Sequence, residues 1–79
     1  MIKVYTKKHK KPLEFNWNKN LRKYIWRDKR KNLYALFLDQ DFCQPLWIGR
    51  LYNDVWLGWE RELGAKKVEF LFGEYIFKN

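Results

Sequence analysis

The residues of this sequence that are best suited to binding chemistry are the cations and aromatics of its N-terminal half. Two clusters rich in Lys and Arg flank the segment LEFNWN at 13–18. Cationic side chains neutralise phosphates, and aromatic rings among them stack on unpaired bases, so the pattern predicts a nucleic-acid-binding surface. The predicted contact residues are Lys7, Lys8, Lys10, Lys11, Lys19, Arg22, Lys23, Tyr24, Trp26, Arg27, Lys29, Arg30 and Lys31.

The positive charge is confined to one part of the chain. Residues 1–32 contain 12 Lys and Arg against two acidic residues, a balance of +10, whereas residues 33–79 contain 5 against 7, a balance of −2. Such an asymmetry indicates a polyanionic partner on one face. No helix-turn-helix, zinc finger or RNA-recognition motif is visible, so we do not expect sequence-specific reading of the major groove. Single-stranded or structured RNA is favoured over duplex DNA.

Residue types that carry catalysis or bind metals are scarce. The chain has no serine, and Thr6 is its only threonine. His9 and Cys43 are the only soft ligands, whereas a structural zinc site takes four. Asp39 and Asp41 lie two residues apart and offer oxygen ligands for Mg²⁺, but aspartates in such a segment usually serve a turn. We predict no catalytic residue, metal, cofactor or small-molecule substrate, and a protein that is not an enzyme.

The segments NLYALF and PLWIGR resemble the core motifs of GIY-YIG nucleases, in which a strand with a Tyr precedes a strand ending in Tyr-Ile-Gly and then a helix. The resemblance covers residues 33–64 and places Tyr34 and Trp47 at motif positions. It would imply a metal-dependent nuclease with an arginine on the helix. Here Trp47 replaces the second motif tyrosine, and Leu57 or Gly58 occupies the arginine position. The prediction of a non-enzymatic protein therefore stands.

A protein partner is the alternative to nucleic acid. Trp, Tyr and Arg dominate the hot spots of protein interfaces, so a short chain rich in them suits a small inhibitor or effector. We predict in that case a phage- or virus-like factor docking on a larger acidic or nucleic-acid-handling enzyme. An anionic membrane surface is the least favoured partner. With one cysteine and no apolar run long enough to span a bilayer, the chain is predicted to be cytoplasmic, in the host cytoplasm if viral.

The elements that must position these residues are predicted to be mainly strands of one domain covering residues 1–79. LEFNWN alternates apolar and polar residues, which is typical of a half-buried strand. The segment LRKYIWRD at 21–28 is interpreted as a strand because of its aromatics, and LYALFLD at 33–39 as a central strand covered on both faces. KVEFLFGEYIF completes the sheet, with Val68, Phe70 and Phe72 alternating before Gly73.

The segment PLWIGRLYNDVWLGWERELG at 45–64 decides the fold class, because it fits two templates. As a helix that ends at Gly64, it places seven apolar residues along one stripe. As a hairpin, it turns at Asn53-Asp54 and places Gly49 opposite Gly58, leaving a notch that a ligand or a neighbouring aromatic would fill. The residues of the helical stripe are Ile48, Leu51, Tyr52, Val55, Trp56, Trp59 and Leu63.

The helix is favoured, over about residues 46–63, because the hairpin would have to bury both of its faces. The predicted fold is therefore α+β, an antiparallel sheet of about four to six strands with one amphipathic helix packed on it. In this fold Trp56 and Trp59 belong to the core. The alternative is a small all-β barrel with a hairpin at Asn53-Asp54.

Overall fold

The structure, a computed structural model, describes residues 1–39, 45–71 and 73–78. These residues form one antiparallel sheet of eight strands, curled into a half-barrel, with the order β6-β5-β4-β3-β2-β1-β7-β8. The elements are β1 (Ile2–Thr6), β2 (Leu13–Asn18), β3 (Lys23–Arg27), β4 (Leu33–Leu38), β5 (Pro45–Tyr52), β6 (Val55–Gly58), α1 (Glu60–Leu63), β7 (Ala65–Phe70) and β8 (Gly73–Ile76).

The chain winds through the sheet as a meander and then crosses it once. Strands β1 to β6 each pair with the next, after which α1 carries the chain across to pair β7 with β1. The crossing is anchored at both ends, because the Trp59 amide donates to the Ile48 carbonyl and the Lys7 amide donates to the Gly64 carbonyl. Gly64 ends α1 with a φ of 67°, as the sequence predicts for a helix stop.

The inner face of the curled sheet contains the hydrophobic core. Alternate residues of the strands point to this face, and Leu63 of α1 packs into it. The alternation predicted for LEFNWN is confirmed, since Leu13 and Phe15 are buried while Glu14 and Asn16 are exposed. The largest fully buried side chains are Val4, Phe15, Leu36, Ile48 and Val68.

A second apolar cluster lies on the outer face of β4, β5 and β6, around Gly49. The rings of Phe37 and Trp47 stack with centroids 3.9 Å apart, and Trp56 meets Phe37 edge-on at 5.5 Å. A Cβ atom on Gly49 would lie 2.6 Å from Cε1 of Phe37, so this packing requires glycine. Aromatics thus fill the notch at Gly49. The first four residues of β4 are buried, and the prediction of a central strand covered on both faces is confirmed.

The predicted α+β class is wrong, and the all-β alternative fits the structure. Residues 46–63, predicted as one helix, form β5, β6 and a helix of only four residues. Asn53 and Asp54 adopt φ values of 48° and 64°, the left-handed conformations that a two-residue hairpin turn requires. The register pairs Gly49 with Gly58, as expected for the hairpin. The sheet also has more strands than predicted.

The hairpin forms because its two faces pack against different parts of the protein. On the inner face Ile48 joins the core, and Trp59 packs partly buried against it as predicted. On the outer face Trp56, predicted for the core, instead packs half-buried on Phe37 of β4. The tip reaches beyond both clusters, and Tyr52 is 56 % exposed there.

The remaining strand predictions hold where the structure describes them. The aromatic segment at 21–28 contains β3, and the C-terminal segment contains β7 and β8 with Val68 buried. Phe72 of that predicted alternation lies outside the described residues, as do Asp41 and Cys43. Within the described ranges, no helix has the length and apolar character needed to cross a bilayer.

Candidate nucleic-acid interface

Strand direction sorts the loops of the half-barrel into two ends. Because neighbouring strands run antiparallel, alternate loops lie at opposite ends. Loops 7–12 and 28–32 share one end, which we call the basic end. The turn 19–22 lies at the other end together with Met1 and the end of β7 at Phe70, and we call this the aromatic end.

A groove of about 390 Å³ opens where the two loops of the basic end meet. His9 comes from loop 7–12, Trp26 from β3, and the others from loop 28–32. The two halves of the groove touch, since the His9 and Trp26 rings meet edge-on with centroids 5.9 Å apart. Two basic segments that are about 20 positions apart in sequence thus form one surface. The groove is lined by His9, Trp26, Asp28, Lys29 and Arg30.

Trp26 forms the aromatic wall of this groove and also packs on the core. Its ring centroid lies 5.0 Å from that of Tyr34 and 6.2 Å from that of Phe15. The side chain is half-buried, so part of the indole faces the groove. The same ring therefore supports the fold and offers a surface to a ligand.

The conformation of loop 28–32 is set by the carboxylate of Asp28. Its Oδ1 accepts from the amides of Arg30 and Asn32, both at 2.9 Å. Its Oδ2 accepts from Nδ2 of Asn32 at 2.9 Å and from the Tyr34 hydroxyl at 3.1 Å. The backbone is closed by the Lys31 amide, which donates to the Asp28 carbonyl, and Lys31 has a φ of 67°. Side chains at 29–31 are thereby held outward from a compact turn.

A closed ring of contacts among five side chains connects this loop to the opposite side of the inner face. Its members are Asp28, Asn32, Arg50, Trp59 and Tyr34. Nη2 of Arg50 donates to Oδ1 of Asn32 at 3.0 Å, and the guanidinium lies 4.8 Å from the centroid of the Trp59 ring. Trp59 in turn hydrogen-bonds the hydroxyl of Tyr34, which donates to Asp28. Nε of Arg50 is buried and has no hydrogen-bond partner among the described residues. The loop is thus fixed by β4, β5 and the start of α1.

Burial and the hydrogen bonds of this network shift the pKa values of Asp28 and Tyr34. Burial raises the pKa of the Asp28 carboxyl, but hydrogen bonds from Asn32, Tyr34 and Arg30 outweigh it and leave that pKa below its ordinary value. The pKa of the Tyr34 hydroxyl is raised, first by burial and then by its hydrogen bond to Asp28 and the charge there. At neutral pH, Asp28 is therefore ionised while Tyr34 keeps the proton it donates.

His9 is held by Thr6 at the other wall of the groove. The His9 amide donates to Oγ1 of Thr6 at 3.1 Å, and Oγ1 lies 2.8 Å from Nδ1 of the ring. The buried Thr6 hydroxyl needs an acceptor, and Nδ1 provides it when the ring proton is on Nε2. That tautomer gives the Thr6 hydroxyl its acceptor and leaves Nε2 of the ring with a proton to donate.

Within the residues that the structure describes, the cations of the basic end form no ion pair with a carboxylate. Among the described residues, the ion pairs join Lys67 to Glu69 and to Glu74, on the outer face of β7 and β8. Lys8 donates from Nζ to the backbone carbonyl of Glu62 rather than to a carboxylate. Asp28 is the only acidic residue in the two loops, and its oxygens are occupied. The local positive charge is therefore available to an anion.

The predicted contact residues lie at both ends of the half-barrel and do not form one continuous surface. The basic end receives Lys7, Lys8, Lys10, Lys11, Lys29, Arg30 and Lys31, with Trp26 beside them. The aromatic end receives Lys19, Arg22, Lys23 and Tyr24. Arg27 ends β3 on its outer face, exposed, and donates to the Lys31 carbonyl at 3.3 Å. Tyr24 and Trp26 share the inner face but line different cavities.

The aromatic end is an open apolar mouth. A cavity of about 540 Å³ is bounded there by the ends of β1, β2, β3, β4 and β7. Trp17 and Tyr24 meet edge-on at its rim with ring centroids 5.1 Å apart, and Trp17 is 52 % exposed. The cations nearest to it, Arg22 and Lys23, line a separate shallow cavity with Phe37.

Three residues that matter to the groove were missed by sequence reasoning. From the sequence, His9 is considered only as a soft metal ligand, although Thr6 lies three residues before it, the spacing at which a threonine hydroxyl accepts from a backbone amide in a turn. Asn32 follows Asp28 in DKRKN, which is a turn signal of the same kind. Arg50 carries no such signal, because its partners lie on other strands.

The geometry defines an all-β half-barrel with a basic groove that has an aromatic wall. In the part of the chain that the structure describes, no group of three or more His, Cys, Asp or Glu side chains is placed to hold a metal ion. Comparisons with protein-family models, curated proteins and solved structures find no match. The function is therefore argued from the site itself.

Proposed function

We propose that this protein binds single-stranded nucleic acid at its basic end, with RNA favoured, and without catalysing a reaction. Lysines of loops 7–12 and 28–32 contact phosphates, and a base enters the groove against Trp26. The observation that carries the proposal is the meeting of two unneutralised cationic loops around a groove with an aromatic wall.

The groove favours an unpaired base over a duplex for geometric reasons. It is lined by one indole at depth and by cations above it, and its volume of about 390 Å³ suits a ligand of nucleotide size. A base that stacks on Trp26 must leave its own helix, which costs least in a single strand. Phosphates on either side then lie near Lys10, Lys11 and Lys29.

The test is a titration of the protein with labelled single-stranded RNA, duplex RNA and duplex DNA at several salt concentrations. A variant with Lys10→Ser, Lys11→Ser and Lys29→Ser is expected to bind single-stranded RNA at least about tenfold more weakly. The slope of log affinity against log salt should fall by about two, because roughly 0.7 counterions are released per phosphate contact in a single strand.

The matched control removes three cations from the aromatic end, as Lys19→Ser, Arg22→Asn and Lys23→Ser. Asn is chosen at position 22 because Arg22 has a φ of 55°, a conformation that Asn tolerates. This variant should keep its affinity within about threefold and most of its salt slope. Equal losses in the two variants would show that binding follows total charge and not the groove.

A protein-binding function is favoured by one separate observation at the β5–β6 hairpin. Tyr52, Val55 and Leu57 share the inner face of the hairpin tip and are 56 %, 56 % and 43 % exposed. Tyr52 and Leu57 line an apolar cavity of about 220 Å³ together with Arg50 and Trp59. Tyr, Trp and Arg around an apolar recess are typical of interface hot spots.

The two functions separate in one pair of variants. Leu57→Ser should abolish capture of a protein partner from the native host while leaving RNA affinity unchanged. The basic-end triple variant should do the reverse. A protein with no affinity for any nucleic acid at physiological salt, and with a partner lost on Leu57→Ser, would belong to the protein-binding class.

A further inference from the structure

We propose that the groove at the basic end prefers an unpaired guanine over the other bases. This inference rests on the proposed function and adds a base preference to it. Its origin is the distribution of hydrogen-bond donors and acceptors among the side chains that line the groove.

The only carboxylate of the groove has no capacity left for a ligand. Asp28 accepts four hydrogen bonds, two at each oxygen, from Arg30, Asn32 and Tyr34. A carboxylate offers about four lone-pair sites in total. The amino groups of adenine, cytosine and guanine therefore meet no free acceptor on Asp28.

The other polar side chains that line the groove offer donors to a ligand. Lys29 and Arg30 have side chains without a hydrogen-bond or ion-pair partner among the described residues, and both are exposed at the rim. His9 has a proton to donate at Nε2 when Nδ1 accepts from Thr6. Donors line the groove, so it selects a base edge that carries acceptors.

Guanine is the base that matches such a lining best. Its O6 and N7 are two adjacent acceptors, and an arginine fork donates to both at once. Adenine places an amino donor beside N7, and uracil has no second acceptor next to O4 on that edge. Unpaired cytosine has adjacent acceptors at O2 and N3, but its amino donor lies on the same edge and would face the donors of the groove. A guanine packed on Trp26 would thus receive both hydrogen bonds from Arg30, whose amide is fixed by Asp28.

The 2-amino group of guanine has no part in this contact. Inosine, which lacks that group but keeps O6 and N7, should bind as well as guanine. Guanine with carbon in place of N7 should lose the advantage, because the second acceptor is gone. These two analogues separate reading of the O6/N7 edge from any other source of preference.

The experiment uses pentanucleotides UUXUU, with X as guanosine, inosine, 7-deazaguanosine, adenosine, cytidine or uridine, in competition against one labelled RNA at fixed salt. Guanosine and inosine should bind within about twofold of each other and roughly tenfold more tightly than the other four. Arg30→Lys keeps the charge but loses the fork, so it should abolish the preference while retaining affinity for UUUUU. Arg22→Lys, at the aromatic end, is the matched control and should retain the preference.

The outcomes that overturn the inference are distinct from failure of the proposed function. Equal affinity for all six oligomers removes the base preference and leaves salt-dependent RNA binding intact. A preference for guanosine that inosine does not share would show that an acceptor reads the 2-amino group, contrary to the saturation of Asp28. A preference that survives Arg30→Lys would exclude the arginine fork. Absence of binding to any oligomer would remove the proposed function as well.

Discussion

The two ends of the half-barrel contain the same residue types but present different surfaces. At the basic end, seven Lys and Arg residues stand in two loops, and the aromatic ring among them, Trp26, is half-buried. At the aromatic end, only Lys19, Arg22 and Lys23 are present, and Trp17 projects from the rim. One end presents cations beside a half-buried ring, whereas the other exposes apolar surface.

The turns at the two ends are also held in place by different kinds of contact. Loop 28–32 is fixed by four hydrogen bonds to one carboxylate and by contacts reaching Arg50 and Trp59. The turn 19–22 is fixed locally, by the Leu21 amide donating to Oδ1 of Asn18 and the Arg22 amide donating to the Asn18 carbonyl. Preorganisation at the basic end lowers the entropy lost when a ligand binds there.

The largest expected difference between the two ends is in the stability lost when the tryptophan of each end is replaced by alanine. Trp26→Ala removes a ring that packs on Phe15 and Tyr34, and we expect a loss of about 2–4 kcal/mol in the free energy of unfolding. Trp17→Ala removes a half-exposed ring whose aromatic contact is with Tyr24, and about 1 kcal/mol is expected. Urea unfolding of both variants measures the difference. Similar losses would mean that the aromatic end is as well packed as the basic end.

The next difference concerns the two polar residues that organise the turns. Asp28→Ala leaves the amides of Arg30 and Asn32 without their acceptor, and we expect a loss of about 1–2 kcal/mol. Asn18→Ala removes one exposed hydrogen bond to Leu21, and about 0.5–1 kcal/mol is expected. Thermal unfolding gives the stabilities, and amide exchange at positions 21 and 30 locates the loss. RNA affinity should fall for the Asp28 variant only.

The smallest expected difference is in how the two turns respond to a fall in pH. Because the pKa of Asp28 is lower in the folded protein than in the unfolded chain, its contribution to stability is present above about pH 4 and disappears as the pH falls through the folded value. The amide resonance of Arg30 should follow that protonation, whereas the Leu21 amide, bonded to neutral Asn18, should not. A two-dimensional NMR titration measures both, with Asp28→Asn as the control. An Arg30 amide that titrates in the Asp28→Asn variant would contradict the assignment.

Much of the strand content is readable from short-range patterns. LEFNWN alternates and the run at 33–38 is apolar, and both form strands. Leu13 and Phe15 are buried as the alternation predicts, whereas Trp17 on the same side of β2 is exposed at its end. The sequence favours a helix at 46–63 because the apolar residues fit a helical stripe and because a hairpin would have to bury both of its faces. What excludes the helix is the ring of Phe37 over Gly49, a contact between strands that no local window contains.

The candidate site was predictable in its residue types and only partly in its arrangement. The excess of Lys and Arg in residues 1–32 and the aromatics among them are visible in the sequence. Their division between two ends follows from the number of strands between them, which reverses the chain direction at each turn. The contact of Arg50 with Asn32 depends on the pairing of β4 with β5.

By itself, the sequence determined the charge, the scarcity of catalytic and metal-binding residue types, and the residues that alternate along strands, because composition and period-two patterning are properties of the chain alone. Tertiary structure decided that 45–58 is a hairpin, that His9 and Arg30 line one groove, and that Asp28 has no acceptor capacity left. These features depend on side chains from different strands meeting across the sheet, where packing and hydrogen-bond saturation outweigh local propensity.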